Sequence, residues 1–542
     1  MEKLAIETYQ SHLPRRQVMT ALIGTMFTMF LGSIFMTVTS TAMPRIVADL
    51  SGFSQYTWVQ TAYIIAESLS LPMAGKLSDM YGRKWVLVTG MIIFVIGTLL
   101  SGFSQSMNQL IIFRAVQGFG FGAMNALGFI IVADLFPPNE RGKYMGLMAG
   151  VFGISTVIGP TLGGIITDAL SWRWCFFLTT PLGIAVIIIF IFLFPALRPA
   201  AAKHRVDYLG IITLSLFMVP LILGLNWGGV DYAWGSSVII GLFIFSAVML
   251  FAFIMVEKRA VEPIIPMDLF KNRVVSVSSI VVFLQGASFF PVMTFVPLFF
   301  QGVLGASATE SGGFMTPMML GMAFGSFVGG QLLSRTGGHY RIQGTISLGF
   351  ACVGFLLLSG MSVTTTFAVA TVYLVIAGLG NGSVMPVHTL AVQNSVPYPV
   401  LGTATSLISF LRPLGGVVGL ALMGSVLNNR FASSFKANIS PEVTSAVSPA
   451  ELSGILDNPQ AIIDPAAYDN MRGIFEGMGP NGLGLFDQLI TTLREALSSA
   501  LTYIFFMFMV VALLAIVANF FLRGVPQYSD NPTDSSDTQT KD

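Results

Sequence analysis

The chain contains the stretch Gly75-Lys-Leu-Ser-Asp79-Met-Tyr-Gly82-Arg83-Lys84, and a related stretch, Gly330-Gln-Leu-Leu-Ser-Arg335-Thr-Gly337-Gly-His339-Tyr-Arg341, occurs later. In each stretch two glycines stand seven residues apart and bracket a short basic turn. Each turn also follows a long apolar run. This recurrence predicts two halves built on the same plan and arranged as a parallel internal repeat.

The composition around these turns is that of a membrane protein. Of 542 residues, 54% are hydrophobic and 10% charged, and the mean hydropathy is +0.77. Soluble globular proteins carry about 25% charged residues, so most of the surface is expected to face lipid. The net charge of +1 does not indicate nucleic acid as a partner. The cysteines Cys175 and Cys352 offer no disulfide framework, and no cluster of metal-ligand spacing predicts a metal site.

The apolar runs set the number of predicted spans. About 20 apolar residues cross ~30 Å of hydrocarbon. Runs of this length predict an all-α integral membrane protein with fourteen transmembrane helices. They begin near Val18, Trp58, Val86, Gln109, Tyr144, Cys175, Tyr208, Ser236, Val275, Glu310, Ile342, Thr366, Leu401 and Leu501. The first run, which ends at Met43, is too long for a cleaved signal peptide, so it is expected to serve as a signal anchor.

The basic residues set the predicted orientation. With both termini in the cytoplasm, nineteen of the 27 Lys and Arg residues fall in inner segments and six in outer segments. The remaining two, Arg114 and Arg412, fall within the membrane. Because inner segments of membrane proteins are enriched in Lys and Arg, we expect a multi-pass protein with both termini cytoplasmic.

The same reading divides the chain into segments. The predicted segments are a cytoplasmic N-terminus (1–17), an N-terminal six-helix half (18–197), two inserted helices with a cytoplasmic connection (198–274), a C-terminal six-helix half (275–523) and a disordered cytoplasmic tail (524–542). The last half includes an outer loop, 430–500, with four basic and eight acidic residues. Its amphipathic pieces Pro449–Leu456 and Phe486–Leu497 are expected to form short helices on the outer face.

Several motifs resemble those of one transporter family. The turn at Gly75–Lys84 resembles the signature loop of the major facilitator superfamily. Arg114-Ala-Val-Gln117-Gly118-Phe-Gly120 resembles its arginine motif, and Gly159-Pro160-Thr-Leu-Gly163-Gly164 its antiporter motif. Trp172-Arg173-Trp174 and Arg412-Pro-Leu-Gly415-Gly416 are similar to features of its 14-helix drug:proton antiporter branch. The resemblance, from about Val18 to Arg523, implies two six-helix halves, two inserted helices and a substrate site between the halves.

The family's signature loop implies a charge latch that holds one access state. The residues that match it here are Gly75, Asp79, Gly82, Arg83, Lys84 and Asp134. The alternative is that the basic residues act only as topology signals, but a carboxylate at Asp79 has no use for topology. Asp79 also stands four residues before Arg83, which is within pairing reach on a helix. The glycines permit a close helix approach that bulkier residues block.

Glu67 is the acid expected deepest in the membrane. It stands near the middle of the second predicted helix, about 15 Å from either surface at ~1.5 Å per residue. A charge at such a depth costs at least about 2.5–3.5 kcal/mol, so membrane acids are functional candidates. We expect Glu67 to carry a proton or to contact a cationic substrate; the alternative is a protonated acid that bonds to a neighbouring helix. The family usually has a first-helix acid where this chain has Phe35, so Glu67 is the main acid left in the N-terminal half.

Two arginines within predicted helices are also functional candidates, because neither can face lipid. The resemblance implies a role for Arg114 in proton coupling or gating, and helix proximity in the family makes a direct Glu67–Arg114 contact a hypothesis; the alternative for Arg114 is a hydrogen-bond hub. For Arg412, a cavity role and a structural role remain open. Five residues of the fifth helix are predicted to form a bendable gate or, alternatively, a small-residue packing surface. These are Gly153, Gly159, Pro160, Gly163 and Gly164.

The substrate cavity is predicted least directly. Its candidate lining residues are Phe35, Tyr63, Gln117 and Arg412. Large apolar side chains on spanning helices more often pack against lipid or neighbouring helices, so packing is the alternative for the aromatic pair.

The function that follows is a proton-coupled secondary active exporter of amphiphilic or cationic drugs and toxic compounds. It is expected to work by alternating access, as a monomer, and the family resemblance implies a bacterial inner membrane. The alternatives are an exporter of an endogenous lipid or metabolite and a membrane receptor or scaffold that transports nothing. No phosphate-binding Gly-rich loop with a Lys-Ser/Thr ending occurs, so ATP is not the expected energy source. Neither enzymatic activity nor a cofactor is expected, because no nucleophile has an evident base.

Overall fold

The fold is helical wherever the structure describes it. The computed structural model describes residues 14–50, 56–194, 207–229, 232–306, 308–336, 338–446, 472–473, 475–477 and 482–522. Within these residues no strand forms, and an isolated bridge joins Gly228 and Tyr232. The predicted all-α fold class is therefore confirmed. The predicted helix Pro449–Leu456 and the tail 524–542 lie outside the described residues.

The helices are numbered here in chain order. They are α1 (Arg15–Leu50), α2 (Tyr56–Tyr81), α3 (Arg83–Gly102), α4 (Met107–Leu135), α5 (Pro138–Ala169), α6 (Trp172–Phe177), α7 (Thr179–Leu193), α8 (Tyr208–Trp227), α9 (Ser237–Glu257), α10 (Arg273–Gly302), α11 (Ala308–Thr336), α12 (Tyr340–Ser359), α13 (Phe367–Ser395), α14 (Leu401–Asn438), α15 (Pro441–Ala446) and α16 (Gly482–Phe520). Short 3-10 turns at Met267–Lys271 and Tyr398–Val400 precede α10 and α14.

Local sequence signals explain where several helices begin. Asp207, Ser236 and Asn272 each accept a hydrogen bond from a backbone N–H in the first turn of α8, α9 and α10. Such side-chain caps satisfy N–H groups that have no partner within the helix. Between α2 and α3 stands Gly82 with φ +91°. Because this region strongly favours glycine, Gly82 allows the sharp turn that starts α3 at Arg83.

Many of these helices can span a membrane. In the described chain, eleven helical segments are long and apolar enough, with α6 and α7 counted as the single segment Trp172–Leu193. The long helices α2, α5 and α11 are not among them. Polar residues such as Gln60 and Glu67 lower the hydropathy of α2, and the count leaves out residues whose side chains the structure does not describe, which interrupt α5 and occur at both ends of α11. The prediction of fourteen spans is therefore confirmed only in its coarser form, a multi-pass helical membrane protein.

The helices pack in a pattern that repeats along the chain. In the N-terminal bundle (α1–α7), α1 packs on α5 and α4 packs on both α2 and α3. In the C-terminal bundle (α10–α14 with α16), α10 packs on α14 and α13 packs on both α11 and α12. Two equivalent contacts join the bundles, α2 with α14 and α5 with α11. The inserted helices α8 and α9 pack mainly on each other, and α8 also touches α2 and α14.

Two helices extend into the segment predicted as the outer loop. Helix α14 continues to Asn438, and α16 begins at Gly482 rather than near Leu501. The separate short helix expected at Phe486–Leu497 is therefore wrong, because these residues belong to α16. The physical reason is apolar spacing: Phe431 and Phe435 of α14 are fully buried, and so are residues such as Leu489 of α16. Their burial stabilises both helices beyond the apolar spans.

Candidate functional site

Arg83 lies at the centre of a charged cluster at one end of the molecule. Its side chain is fully buried at the start of α3. Its Nε donates to Asp134 Oδ2 at 2.7 Å, and its Nη1 donates to Asp79 Oδ1 at 2.6 Å and to Ser78 Oγ at 2.7 Å. The structure therefore brings together the acid, the arginine and the fourth-helix acid predicted from the sequence. With Thr403, these residues are called the Arg83 cluster, and this end of the molecule the Arg83 end.

The cluster reaches the C-terminal bundle through Asp79. The backbone N–H and the hydroxyl of Thr403 both donate to Asp79 Oδ2 at 2.9 Å. Thr403 is in the first turn of α14, where backbone N–H groups have no partner within the helix. The N-terminus of a helix also carries partial positive charge, which favours a carboxylate. Asp79 of one bundle therefore caps a helix of the other bundle.

Small residues permit this close approach. A Cβ at Gly402 would lie 2.7 Å from Arg83 Nη1 and would also overlap Asp79 Oδ1. A Cβ at Gly75 would overlap Ser406 Oγ of α14. Both positions therefore require glycine for α2 and α14 to pack as they do. Lys84, by contrast, is not part of the cluster, because its Nζ donates to the carbonyls of Ile191 and Phe194 at the end of α7.

A second polar cluster lies at the same end. Arg141 of α5 is buried, and its Nη1 donates to Asn394 Oδ1 of α13 at 3.0 Å. Asn394 Nδ2 in turn donates to the hydroxyl of Tyr340, the first residue of α12, at 2.6 Å. These three residues, called the Asn394 cluster, connect the N-terminal bundle to two helices of the C-terminal bundle. The sequence analysis did not single out any of them as functional.

The predicted gate helix α5 packs on α11 through small residues. A Cβ at Gly142 would overlap the carbonyl of Gly330, and a Cβ at Gly330 would overlap the carbonyl of Gly142. Further along, a Cβ at Gly153 would lie 2.9 Å from Ala323 Cβ. Gly159 and Gly163 are also buried. Pro160 and Gly164 lie within the helix, and their surroundings are outside the described part of the chain.

Glu67 lies near the middle of α2 and is only 8% exposed. Its Oε1 accepts a hydrogen bond from Asn125 Nδ2 of α4 at 3.1 Å. Among the described residues, no ion pair reaches Glu67. The partner is therefore a neutral amide, which can serve both the protonated and the ionised carboxyl group.

Arg114 has its own set of partners on the same face of α2. Its Nη1 donates to Gln117 Oε1 at 2.6 Å and its Nη2 to Gln60 Oε1 at 3.2 Å. The centre of its guanidinium lies 4.2 Å from the ring centroid of Tyr63. Gln117 Nε2 donates onward to Thr98 Oγ1 of α3 at 2.7 Å. The hypothesised direct Glu67–Arg114 contact does not form, although Gln60 and Tyr63 precede Glu67 on one helical face.

Arg412 occupies a comparable position in the C-terminal bundle. Its Nε donates to Gln285 Oε1 of α10 at 2.9 Å, and Gln285 Nε2 donates to Asn381 Oδ1 of α13 at 3.1 Å. The guanidinium also lies 5.1 Å from the ring centroid of Phe289. These partners link three helices of one bundle, so they favour the structural reading of Arg412.

The two aromatic residues predicted to line the cavity lie inside the N-terminal bundle. Phe35 is 2% exposed, and its ring centroid lies 5.4 Å from that of Phe94 and 6.3 Å from that of Phe176. Tyr63 is fully buried between Arg114 and Phe121. Both positions agree with the packing alternative.

The Trp-Arg-Trp motif holds the far end of the N-terminal bundle. Arg173 Nη1 donates to Asp49 Oδ2 at 2.6 Å, and Trp172 Nε1 donates to the same oxygen at 3.0 Å. Asp49 lies beyond the apolar span of α1, Arg15–Phe35. The hydrogen bond from Arg173, with that from Trp172, holds the pKa of Asp49 below its ordinary value. The contact lies within one bundle, so it stabilises that bundle rather than the junction.

An apolar groove opens on another face of the molecule. It has a volume of about 640 Å³ and runs between α2, α4 and α8, with Trp58, Leu69, Phe119 and Leu223 in its walls. No charged side chain lines it, so the groove is separate from the Glu67 and Arg114 contacts. Within the described residues there is also no group of three or more His, Cys, Asp or Glu side chains that could hold a metal ion.

Sequence reasoning missed the neutral partners of the charged residues. Asn125, Gln60 and Gln285 bind Glu67, Arg114 and Arg412, respectively. A usable signal was present, because uncharged amides are uncommon in apolar helices and need partners there. Thr403 carried no such signal, since a Thr near a helix start is ordinary.

Comparisons with known proteins agree with this architecture. The sequence profile of the Major Facilitator Superfamily matches residues 25–420. The chain is 37% identical to the multidrug transporter protein MdtP of Bacillus subtilis over 516 residues, covering 93% of each chain. It is 38% identical to multidrug resistance protein 3 of the same organism, covering 92% of this chain and 94% of the relative. The structure of the human organic anion transporter MFSD10 matches 92% of the chain with a TM-score of 0.59 at 14% identity, and so supports the fold.

Proposed function

The chain belongs to the major facilitator superfamily, and we propose that it is a secondary active exporter of amphiphilic or cationic drugs driven by proton antiport. Two relatives, a multidrug transporter and a multidrug resistance protein, support the drug-efflux part. The observation that carries the proton part is Glu67, a buried acid in mid-helix whose described partner is the neutral Asn125. A membrane-embedded acid of this kind is a candidate proton carrier.

The proposal includes fourteen spans. Helices α2, α5 and α11 pack among the eleven apolar segments and are long enough to span with them. Their charged residues lie toward the bundle junction or the helix ends, as with Asp79 and Arg141. Helices with buried polar faces have lower hydropathy without leaving the membrane. The two bundles would then be the six-helix halves, with α8 and α9 inserted between them.

Alternating access follows from the contacts between the bundles. At the Arg83 end, α2 packs on α14 and α5 packs on α11 through glycines. We assign this end to the cytoplasm from the predicted orientation, so the structure represents a state closed on that side. Arg83 Nη2 and Asp134 Oδ1 are buried without a hydrogen-bond partner. Such unsatisfied groups lower the net stability of the closed state. The free energy of a binding event can therefore open the junction.

Coupling then depends on competition at Glu67. An ionised Glu67 attracts a cationic substrate, and a proton arriving from the outer side neutralises the carboxylate and releases that substrate. Arg114, held by Gln117, Gln60 and the Tyr63 ring, stays near the same face of α2. The protein is proposed to do this as a monomer, with both termini cytoplasmic, in a bacterial inner membrane.

The first prediction tests Glu67 by transport in proteoliposomes. We expect the wild type to move a fluorescent lipophilic cation against its gradient when a pH gradient is imposed. Glu67→Gln keeps the shape and the bond to Asn125 but cannot cycle a proton, so uphill flux should be lost while downhill exchange remains. Asp268→Asn is a matched control, because Asp268 is 82% exposed and pairs with Lys271 outside the apolar spans.

Two results would contradict this proposal. If Glu67→Gln transports uphill as well as the wild type does, Glu67 is not the proton carrier. If the wild-type flux of several such cations ignores the pH gradient, proton-coupled drug export fails. A lipid or metabolite cargo then becomes the leading function for the same fold.

A further inference from the structure

The inserted helices bring two carboxyl groups together, and neither group forms an ion pair among the described residues. Asp207 stands at the start of α8, and Glu257 is the last residue of α9. Glu257 is only 3% exposed. One oxygen of each carboxyl group, Asp207 Oδ2 and Glu257 Oε1, is buried and has no hydrogen-bond partner. These two atoms therefore need an explanation, because buried polar groups are nearly always bonded.

The two unpartnered oxygens border the same small space. A Cβ at Gly210 would lie 2.5 Å from Asp207 Oδ2 and 2.8 Å from Glu257 Oε1. The missing side chain of Gly210 thus leaves room where both oxygens point. The other oxygens are already used: Asp207 Oδ1 accepts the N–H of Gly210 at 2.8 Å, and Glu257 Oε2 accepts the N–H of Ile265 at 3.2 Å.

Among the described residues, the basic side chains around this pair are engaged elsewhere or exposed. Lys76 of α2 lies close enough to act on Glu257, but its Nζ pairs with Glu262 in the connection after α9. Lys258 and Arg259 follow Glu257 directly but are exposed. Two ionised carboxylates so close and so buried would repel each other strongly, because like charges in one site disfavour the charged form.

We propose that Asp207 and Glu257 share a single proton. Glu257 carries it and donates its O–H to Asp207 Oδ2, which supplies the donor that both unpartnered oxygens lack. Asp207 keeps the negative charge because it caps α8, where the helix N-terminus favours an anion. When the proton leaves to water, two carboxylates face each other and the ends of α8 and α9 are forced apart.

This proton site is linked to the junction between the bundles. Glu257 holds the backbone of Ile265, and Glu262 in the same connection holds Lys76. Lys76 lies less than one helical turn before Asp79, which caps α14. An ionised Glu257 competes with Glu262 for Lys76 and so disturbs the end of α2. Loss of the shared proton therefore weakens the contact that closes the Arg83 end. The stability of the closed state then depends on the proton concentration at that end.

The second prediction tests the shared proton by infrared spectroscopy on purified protein. At neutral pH the wild type should show a protonated-carboxyl stretch that disappears in Glu257→Gln and persists in Glu67→Gln. As the pH rises, the wild-type melting temperature should fall by about 2–4 °C on ionisation of the pair. Glu257→Gln should lose most of that dependence, since its amide donates to Asp207 at every pH. Glu262→Gln is the control and should keep the pH dependence, because it leaves both carboxyl groups in place.

The outcomes separate this proposal from proton antiport at Glu67. It is overturned if Glu257→Gln removes no protonated-carboxyl band, or if its melting temperature follows pH as the wild type does. It is also overturned if sodium, potassium or calcium ions stabilise the wild type but not Glu257→Gln at high pH, because the pair is then a cation site. Should Glu257→Gln fail to fold, Asp207→Asn provides the same donor from the other side and is measured in the same way. Neither the infrared band nor the melting temperature requires uphill transport, so this test and the test of Glu67 can fail independently.

Discussion

The Arg83 cluster and the Asn394 cluster occupy equivalent places in the repeat but differ in chemistry. Arg83 and Tyr340 are each the first residue of the helix after a glycine-containing turn, α3 and α12. Asp134 and Asn394 each lie next to the end of the following helix, α4 and α13. In the first pair a guanidinium donates to a carboxylate at 2.7 Å, and in the second an amide donates to a phenol at 2.6 Å.

The difference shows that close packing and charge are separate means of joining the bundles. Glycines allow a close approach at both junctions: Gly402 makes room for the Asp79 and Arg83 side chains at the first, and Gly142 for the backbone of Gly330 at the second. Only the Arg83 cluster adds a buried carboxylate that crosses to the other bundle. Removing one partner of a buried ion pair costs about 3–5 kcal/mol, whereas a neutral hydrogen bond contributes about 0.5–1.5 kcal/mol. One junction therefore crosses between the bundles through the carboxylate of Asp79, and its equivalent through the guanidinium of Arg141, which donates to the neutral amide of Asn394.

Arg83→Leu should have the largest effect on this comparison. It leaves the carboxylates of Asp79 and Asp134 buried without their cation, so we expect the protein to lose about 3–5 kcal/mol of stability. Thermal unfolding in detergent measures the loss, and Arg83→Lys is the control that keeps the charge. If Arg83→Leu lost less stability than Arg83→Lys, the cluster would not depend on its positive charge.

Asp79→Asn should have an intermediate effect. Arg83 keeps Asp134, but the first turn of α14 loses its charged cap, which corresponds to about 1–2 kcal/mol. We expect the bundles to separate more often at the Arg83 end, as measured by distances between spin labels at the exposed positions Tyr81 and Pro399. Unchanged distance distributions would mean that glycine packing alone holds this junction. Ser78→Ala, which removes a hydroxyl from within the N-terminal bundle, serves as the comparison.

Tyr340→Phe should have the smallest effect. It removes the hydroxyl that accepts from Asn394 and leaves the ring in place, so a loss of about 0.5–1.5 kcal/mol is expected. The same unfolding measurement as for Arg83→Leu applies, because the two residues are equivalent in the repeat. If Tyr340→Phe matched Arg83→Leu, the two junctions would not differ as their chemistry indicates.

Contacts between residues close in the sequence could be predicted, whereas contacts between the two bundles could not. Asp79 and Arg83 are four residues apart, so their closeness was expected, although Gly82 places them at the end of α2 and the start of α3 rather than on one helical turn. The contact of Asp79 with Thr403 depends on how two bundles meet, and no local spacing encodes it. For the same reason the depth of Glu67 was predictable but its partner Asn125 was not.

Two errors had a more specific cause. The outer loop was predicted over 430–500, where charged residues such as Arg430 and Arg494 interrupt the apolar runs, so α14 was ended too early and α16 was started too late. Apolar residues at helical spacing, such as Phe435 and Leu489, outweigh those charges once they are buried against each other. Phe35 was predicted to line a cavity because it is aromatic, whereas its side chain packs against Phe94 and Phe176.

The cap that Asp79 provides to α14 has a consequence for how this chain can change over generations. The acid and the helix start that needs it are encoded more than 300 residues apart. A substitution at Asp79, Gly402 or Thr403 is thus tolerated only if the two bundles still pack against each other. Neither bundle can be exchanged for that of a relative as a self-contained module unless the matching residue comes with it. The two halves share one plan, but they are inherited as one unit.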